Sequence, residues 1–176
     1  MRPRRLVLIC DISGSMEVYA RVYLQLLMSG VGGARAEAFV FATRLTRLTR
    51  ALRGVPPDLA LERAGRAAPD WSGGTRIGEA VRSFNDSYGR PGLARGAVVV
   101  VLSDGWDCGD PEVLGTQMAR LGRLAYRVVW VNPRKAAPGF APLAAGMAAA
   151  LPHVDAFVSG HSLAAFDEVL AAIAAS

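Results

Sequence analysis

Three short polar clusters in this chain pool oxygen donors of the kind that hold a hard divalent cation. The first is Asp11-Ile12-Ser13-Gly14-Ser15-Met16, the second Ser72-Gly73-Gly74-Thr75, and the third Ser103-Asp104-Gly105. From them Asp11, Ser13, Ser15, Thr75 and Asp104 offer carboxylates and hydroxyls, with no need for His or Cys. Mg²⁺ takes such ligands octahedrally, keeping waters and usually one or two carboxylates, and Mn²⁺ or Ca²⁺ accepts the same donor types. Asp11, Ser13 and Ser15 alternate through an extended turn, so their side chains can converge while Gly14 lets the backbone bend. Gly73-Gly74 lets a second loop approach closely and present Thr75. Taken singly, each residue has a plainer reading: Ser15 and Thr75 as helix N-caps, Asp104-Gly105 as a turn pair. Only their joint placement favours a metal.

Positioning three loops together requires strands that end side by side. Short apolar runs alternate here with longer amphipathic ones. Arg5–Cys10 reads as a buried strand, Ser15–Gly30 as helix-length, Glu37–Ala42 as a second strand and Leu45–Arg50 as a weaker third after a Thr43-Arg44 turn. Val55–Ser72, with three prolines, reads as loop with a short helix. Thr75–Tyr88 is a predicted helix, with Ile77, Ala80, Val81 and Phe84 on one face. The valine run of Ala97–Leu102 suits a strand buried on both faces of a parallel sheet. Asp110-Pro111-Glu112 starts a helix running to about Leu124, followed by strand Arg127–Val131. A weak helix over Ala141–Leu151, a strand over Val154–Val158 and a helix over Ser162–Ala174 capped by Ser162 complete the reading. The alternation implies an α/β fold with an open, mostly parallel sheet. In such sheets the ligand site lies outside the carboxyl ends of the strands, where the three clusters fall.

Composition narrows the function classes. A chain of 176 residues, 52% hydrophobic and 20% charged, is long enough for one well-cored domain and too apolar to be disordered. No run of about 18 apolar residues occurs, and the apolar run after Arg5 meets Asp11 too soon for an export signal. With two cysteines and no export signal, the expected location is the cytoplasm. Cys10 reads as a buried strand residue and Cys108 as a loop thiol. The formal net charge of +5 comes almost entirely from arginine, but the arginines are dispersed and aromatics make up only 7%, so nucleic-acid binding is disfavoured. Arg44, Arg47, Arg50 and Arg53 form the densest set, an edge that could meet an acidic partner without any metal.

Enzyme readings each lack a part. Gly160-His161-Ser162-Leu163-Ala164 imitates a hydrolase elbow, but no histidine follows it. His153 reads as a loop residue. A Mg²⁺-dependent phosphotransferase using Asp11 as nucleophile would need a second acid, and Ser13 stands where a phosphatase would place it. Neither a P-loop nor a dinucleotide fingerprint is present.

Asp11-x-Ser13-x-Ser15 with a distant Thr75 and Asp104 resembles the metal-ion-dependent adhesion site of von Willebrand factor A (VWA) domains. The resemblance implies a Rossmann-like three-layer fold, its sheet parallel except for one antiparallel edge strand, with helices on both faces. It also implies that Ser13, Ser15 and Thr75 are hydroxyl ligands and that Asp11 and Asp104 hold the ion directly or through water. An open position then takes an Asp or Glu from a partner protein. Asp70–Gly78, Ser103–Asp107, Gly109-Asp110-Pro111, Val129–Pro133, Leu151–Asp155 and Ser159-Gly160-His161 are similar to the CoxE-like branch. That branch implies work with a MoxR-type AAA+ ATPase in maturing a metalloenzyme such as carbon monoxide dehydrogenase. Its members usually carry more sequence before this domain, so residues 1–176 are expected to be the C-terminal domain of a longer protein. In some relatives, ligand binding shifts the last helix. The expected function is a non-catalytic binding module, with Trp71, Gly74, Trp106 and Asp107 around the rim of the site.

Overall fold

The computed structural model describes residues 4–67, 74–141 and 144–175. Among them, six strands form one sheet in the order β3-β2-β1-β4-β5-β6. The strands are β1 (Leu6–Asp11), β2 (Glu37–Phe41), β3 (Leu45–Arg47), β4 (Val98–Leu102), β5 (Arg127–Val131) and β6 (Ala156–Val158). All pairings are parallel except β2 with β3, which is antiparallel. The helices are α1 (Glu17–Gly33), α2 (Thr49–Leu52), α3 (Pro57–Ala67), α4 (Ile77–Phe84), α5 (Pro111–Leu124), α6 (Ala145–Ala150) and α7 (Phe166–Ala174).

Period-two alternation divides the core into two layers. Leu8, Cys10, Val40, Val100, Leu102, Val129 and Val131 face one side, where Tyr23, Leu24 and Leu27 of α1 and Val169 of α7 cover them. Val7, Ile9, Phe39, Phe41, Val99, Val101 and Trp130 face the other, under Ile77, Val81 and Phe84 of α4 and Leu114, Met118 and Leu121 of α5. Burial on both faces explains why β4 reads as an unbroken apolar run. Because the chain leaves β1 first towards β2 and later returns to β4, the order reverses between β1 and β4. The crevice outside their carboxyl ends is the ligand-binding position of such folds.

Several sequence boundaries move. The predicted third strand stops at Arg47, and its last residues turn into α2, because Leu48 and Leu52 both point into the core and suit a helical turn. The proline-rich segment holds an eleven-residue helix, α3, since Pro57 sits at its start, where a missing N–H costs nothing. Residues 68–73, with the predicted rim residue Trp71, lie outside the described residues. The helix predicted from Thr75 begins at Ile77 and widens into π-type turns over Asn85–Leu93, past a left-handed Gly92. The helix predicted from Ala141 is six residues long and ends in a 3-10 turn over Leu151–His153. The last helix starts at Phe166, four residues after Ser162. The Ser162 hydroxyl accepts from the Ala165 N–H and so closes the preceding turn instead of capping the helix. Asp110 does cap α5, accepting from the Glu112 N–H at 2.9 Å. On the arginine-rich edge, Arg47 is paired with Glu37 at 2.7 Å.

Candidate metal centre

Asp11 closes β1 and is buried. Its neighbour across the sheet is the end of β4, in register through Cys10 and Leu102, so Ser103 arrives beside it. The Ser103 hydroxyl donates to Asp11 Oδ2 at 2.6 Å, and the Ser13 N–H donates to Oδ1 at 2.9 Å. Both carboxylate oxygens are thus oriented by protein donors. Burial pushes the Asp11 carboxyl up to about 6; the hydrogen bonds from Ser103 and Ser13 oppose that rise, and the Asp104 carboxylate adds to it. Two acids are therefore held close together in a dry place, an arrangement that a cation relieves.

The hydroxyls are not used as caps. Ser13 precedes a 3-10 turn over Gly14–Met16 without capping it, and its Oγ lies 3.3 Å from the Oγ of half-buried Ser15. Thr75 is buried just before α4, whose N-cap position is Arg76 with no side-chain cap bond. The N-cap readings of Ser15 and Thr75 fall away, which leaves their hydroxyls available for another role.

Asp104 combines a turn role with an orphaned atom. Its Oδ1 accepts from the Trp106 N–H at 3.0 Å, as in an Asx turn. Its Oδ2 is buried with no hydrogen-bond partner among the described residues, and Arg134 Nε stands 3.6 Å away. A buried carboxylate oxygen without a donor costs free energy unless something positive completes it. On this observation the donor set fits a divalent cation. The loop beneath is braced: buried Asn132 donates to the Asp104 carbonyl at 3.1 Å, and Trp130 Nε1 donates to the Ser103 carbonyl at 2.9 Å. Gly105 is left-handed (φ 76°), and a Cβ there would meet Met147 Sδ at 2.7 Å, so only glycine fits.

Asp107, expected at the rim, also braces the loops around the site. Its Oδ1 accepts from the Ile77 N–H and the Gly109 N–H, each at 3.0 Å, and so caps α4 from a distant loop. The Cys108 N–H donates to the Thr75 carbonyl at 2.8 Å, which locks the 104–109 loop to the Thr75 segment. Gly74 is exposed beside Cys108, where a Cβ would lie 3.4 Å from its Sγ. Trp106 is 63% exposed on the loop that follows Asp104. Sequence reasoning missed Ser103 as the residue that orients Asp11; the hint was only its adjacency to Asp104 at the strand end. Among the described residues no helix is long and apolar enough to cross a membrane. Nor do three or more His, Cys, Asp or Glu side chains gather into a metal cluster among the described residues; three of the five candidate donors are hydroxyls.

Solved structures of similar fold are numerous. An aerotolerance-related membrane protein from Bacteroides fragilis is 15% identical, with a TM-score of 0.60, covering 97% of this chain and 98% of that one. The proximal thread matrix protein 1 of the mussel byssus, solved with a zinc-occupied adhesion-site motif, is 16% identical with a TM-score of 0.61, covering 97% of this chain and 45% of that one. Manganese-loaded TRAP protein from Plasmodium vivax is 18% identical with a TM-score of 0.53, covering 73% of this chain and 56% of that one. At such identities these likenesses speak for the fold. No curated protein matches the chain significantly. The model of VWA domain-containing CoxE-like proteins matches residues 1–166, nearly the whole length, and the chain belongs to that family.

Proposed function

We propose that this chain is a non-catalytic, metal-dependent protein-binding module. Its family commonly carries a metal-dependent adhesion site and mediates protein interactions. In this reading Asp11, Ser13, Ser15, Thr75 and Asp104 hold Mg²⁺, with Mn²⁺ or Ca²⁺ as substitutes. The ion supplies a Lewis-acidic position open to an Asp or Glu of a partner. The observation that carries the reading is the buried Oδ2 of Asp104, which receives no hydrogen bond from the described residues, beside the buried Asp11. The zinc and manganese in two proteins of the same fold support a divalent ion at this place. The Ser13 N–H and the Ser103 hydroxyl orient Asp11 at both oxygens, as suits a group that holds an ion. From the CoxE-like membership we infer a MoxR-type AAA+ ATPase as partner and a metalloenzyme such as carbon monoxide dehydrogenase as client, in the cytoplasm.

Calorimetric titration of Mg²⁺ and Mn²⁺ into the metal-stripped protein tests the site. Saturable binding is expected, and it is lost in Asp11→Ala and Thr75→Ala. Equal heats in wild type and Asp11→Ala would overturn it. Pull-down of the MoxR-type ATPase with and without chelator tests the partner, and capture that ignores chelator would refute a metal-bridged contact.

A further inference from the structure

Arginines scattered along the sequence converge in the fold, because the neighbouring parallel strands all start at one end of the sheet. Arg4 and Arg5 lead into β1, Arg35 into β2 and Arg95 into β4, while Arg127 opens β5. The register sets these starts side by side, with Val7 opposite Glu37, Leu6 opposite Val98 and Val98 opposite Arg127. Adjacent strands lie roughly 4.8 Å apart, so these guanidiniums issue from a front about 15 Å wide. The fold also breaks up the Arg44–Arg53 set. Arg44 follows the carboxyl end of β2, whereas Arg53 stands at the far end, where it shares a cleft of about 600 Å³ with Arg35.

Several of these side chains are held in place by the protein itself. The Arg4 guanidinium lies 3.5 Å over the centre of the Tyr126 ring. Arg5 Nη1 donates to the Gly92 carbonyl at 2.8 Å, and Arg95 Nε donates to the Arg90 carbonyl at 3.2 Å. Arg127 Nε is buried with no acceptor among the described residues. The acids at this end are largely engaged: Glu37 by Arg47, with Arg5 also acting on it, and Asp86 by Arg120. Asp155 accepts from the Val128 N–H at 2.7 Å, and exposed Asp58 stands in the first turn of α3. None of Arg4, Arg5, Arg35, Arg53, Arg95 and Arg127 forms an ion pair among the described residues. The surplus on this face is positive.

We propose that the amino ends of the strands form a second, metal-independent docking face for an acidic segment of a partner protein. Each free guanidinium offers a planar fork that a carboxylate matches with two hydrogen bonds. Side chains fixed beforehand lose less freedom when they bind, which favours a specific contact over a diffuse one. A protein segment fits this face better than a nucleic acid, whose bases need open aromatic rings to stack on. Arg4 already covers a face of Tyr126, and Tyr88 packs against Phe39 and Phe84. The face lies at the opposite end of the sheet from Asp11 and Asp104, so the inference does not depend on the metal reading. One chain can then hold two partners at once, one at each end.

Fluorescence polarisation of labelled decaglutamate with the full chain, at about 0.15 M salt, tests this. Saturable binding is expected, unchanged by chelator and weakening steeply as salt rises. The double variant Arg53→Glu with Arg95→Glu should lose about tenfold or more in affinity. Arg21→Glu with Arg66→Glu changes the net charge equally on helices α1 and α3 and should lose less than about twofold. All four side chains are exposed, so thermal unfolding of both variants should match wild type. No saturable binding, or equal losses in the two variants, would overturn the docking face and leave the metal site untouched. Binding abolished by chelator would place the glutamates at the metal centre and overturn the proposal. Decathymidylate that binds more tightly than decaglutamate, and is lost in the Arg53 and Arg95 variant, would overturn the acidic protein in favour of a nucleic-acid backbone.

Discussion

At the scale of single residues, the ionisation of Asp11 has a measurable sign. Its carboxyl in the folded protein is raised to about 6, above the 3.8 of an unperturbed group, so the metal-free fold binds a proton more readily than the unfolded chain. The penalty for carrying the charge is fully present above pH 6; it shrinks as pH falls through that window and is gone below about pH 4. Asp11→Asn is therefore expected to stabilise the metal-free protein at neutral pH by about 2 to 3 kcal/mol, with the gain vanishing near pH 4. Urea unfolding of both proteins across pH checks it, and a pH-independent difference would contradict it. The same substitution should abolish Mg²⁺ binding. Ser103→Ala should cost about 1 to 3 kcal/mol, since it leaves Asp11 Oδ2 and the Gly105 N–H without their partner. It should also weaken Mg²⁺ by about tenfold or more, as loss of an orienting neighbour does. The Asp11-Ser13-Ser15 set could be singled out in the sequence because its members alternate within five residues. The role of Ser103 was not, since it exists only once β4 lies beside β1.

Among the secondary-structure elements, the helix that follows Thr75 depends on a loop some thirty residues downstream. Asp107 caps α4 across that distance, and the Thr75 carbonyl is tied to the same loop. Asp107→Ala should cost about 1 to 2 kcal/mol through the lost cap and raise the Mg²⁺ dissociation constant by freeing the Thr75 segment. Thermal unfolding and calorimetry on one sample check both, and an unchanged dissociation constant would separate the cap from the site. Helices α4 and α5 cross closely at Gly78, where a Cβ would stand 2.8 Å from the Leu114 backbone nitrogen. Gly78→Ala should accordingly destabilise by about 1 to 3 kcal/mol, because backbone cannot step aside as a side chain can. The strands and α5 were readable from hydropathy, Asp110 and Pro111, all local signals. The start of α4 was placed two residues early because its cap comes from a distant loop, and α3, expected only as a short helix within a loop, runs longer because Pro57 begins the helix instead of breaking it. Ser162 imitated a cap for the same reason: the turn it closes precedes the helix by a few residues.

For the molecule as a whole, a bound ion would link the ends of β1 and β4 to the Thr75 and 104–109 segments, which lie far apart in sequence. Saturating Mg²⁺ should raise the unfolding free energy by about 2.7 kcal/mol at a hundredfold excess over the dissociation constant, or about 5 °C or more in Tm. Thermal scans with Mg²⁺ and with chelator check this; Asp11→Ala should show no difference between the two. The architecture was foreseen because alternating strand and helix signals leave few topologies, and the antiparallel β3 agreed with the resemblance. The sheet also has two short edges, β3 and β6, of three residues each. Arg47 stands on β3 paired with Glu37, and on β6 the Lys135 ammonium donates to the Phe157 carbonyl. Brief, charge-guarded borders offer little template for another chain to zip onto. Crowded copies of this domain are thereby protected from fibre growth, and any strand-exchange dimer would have to unpick the sheet from within.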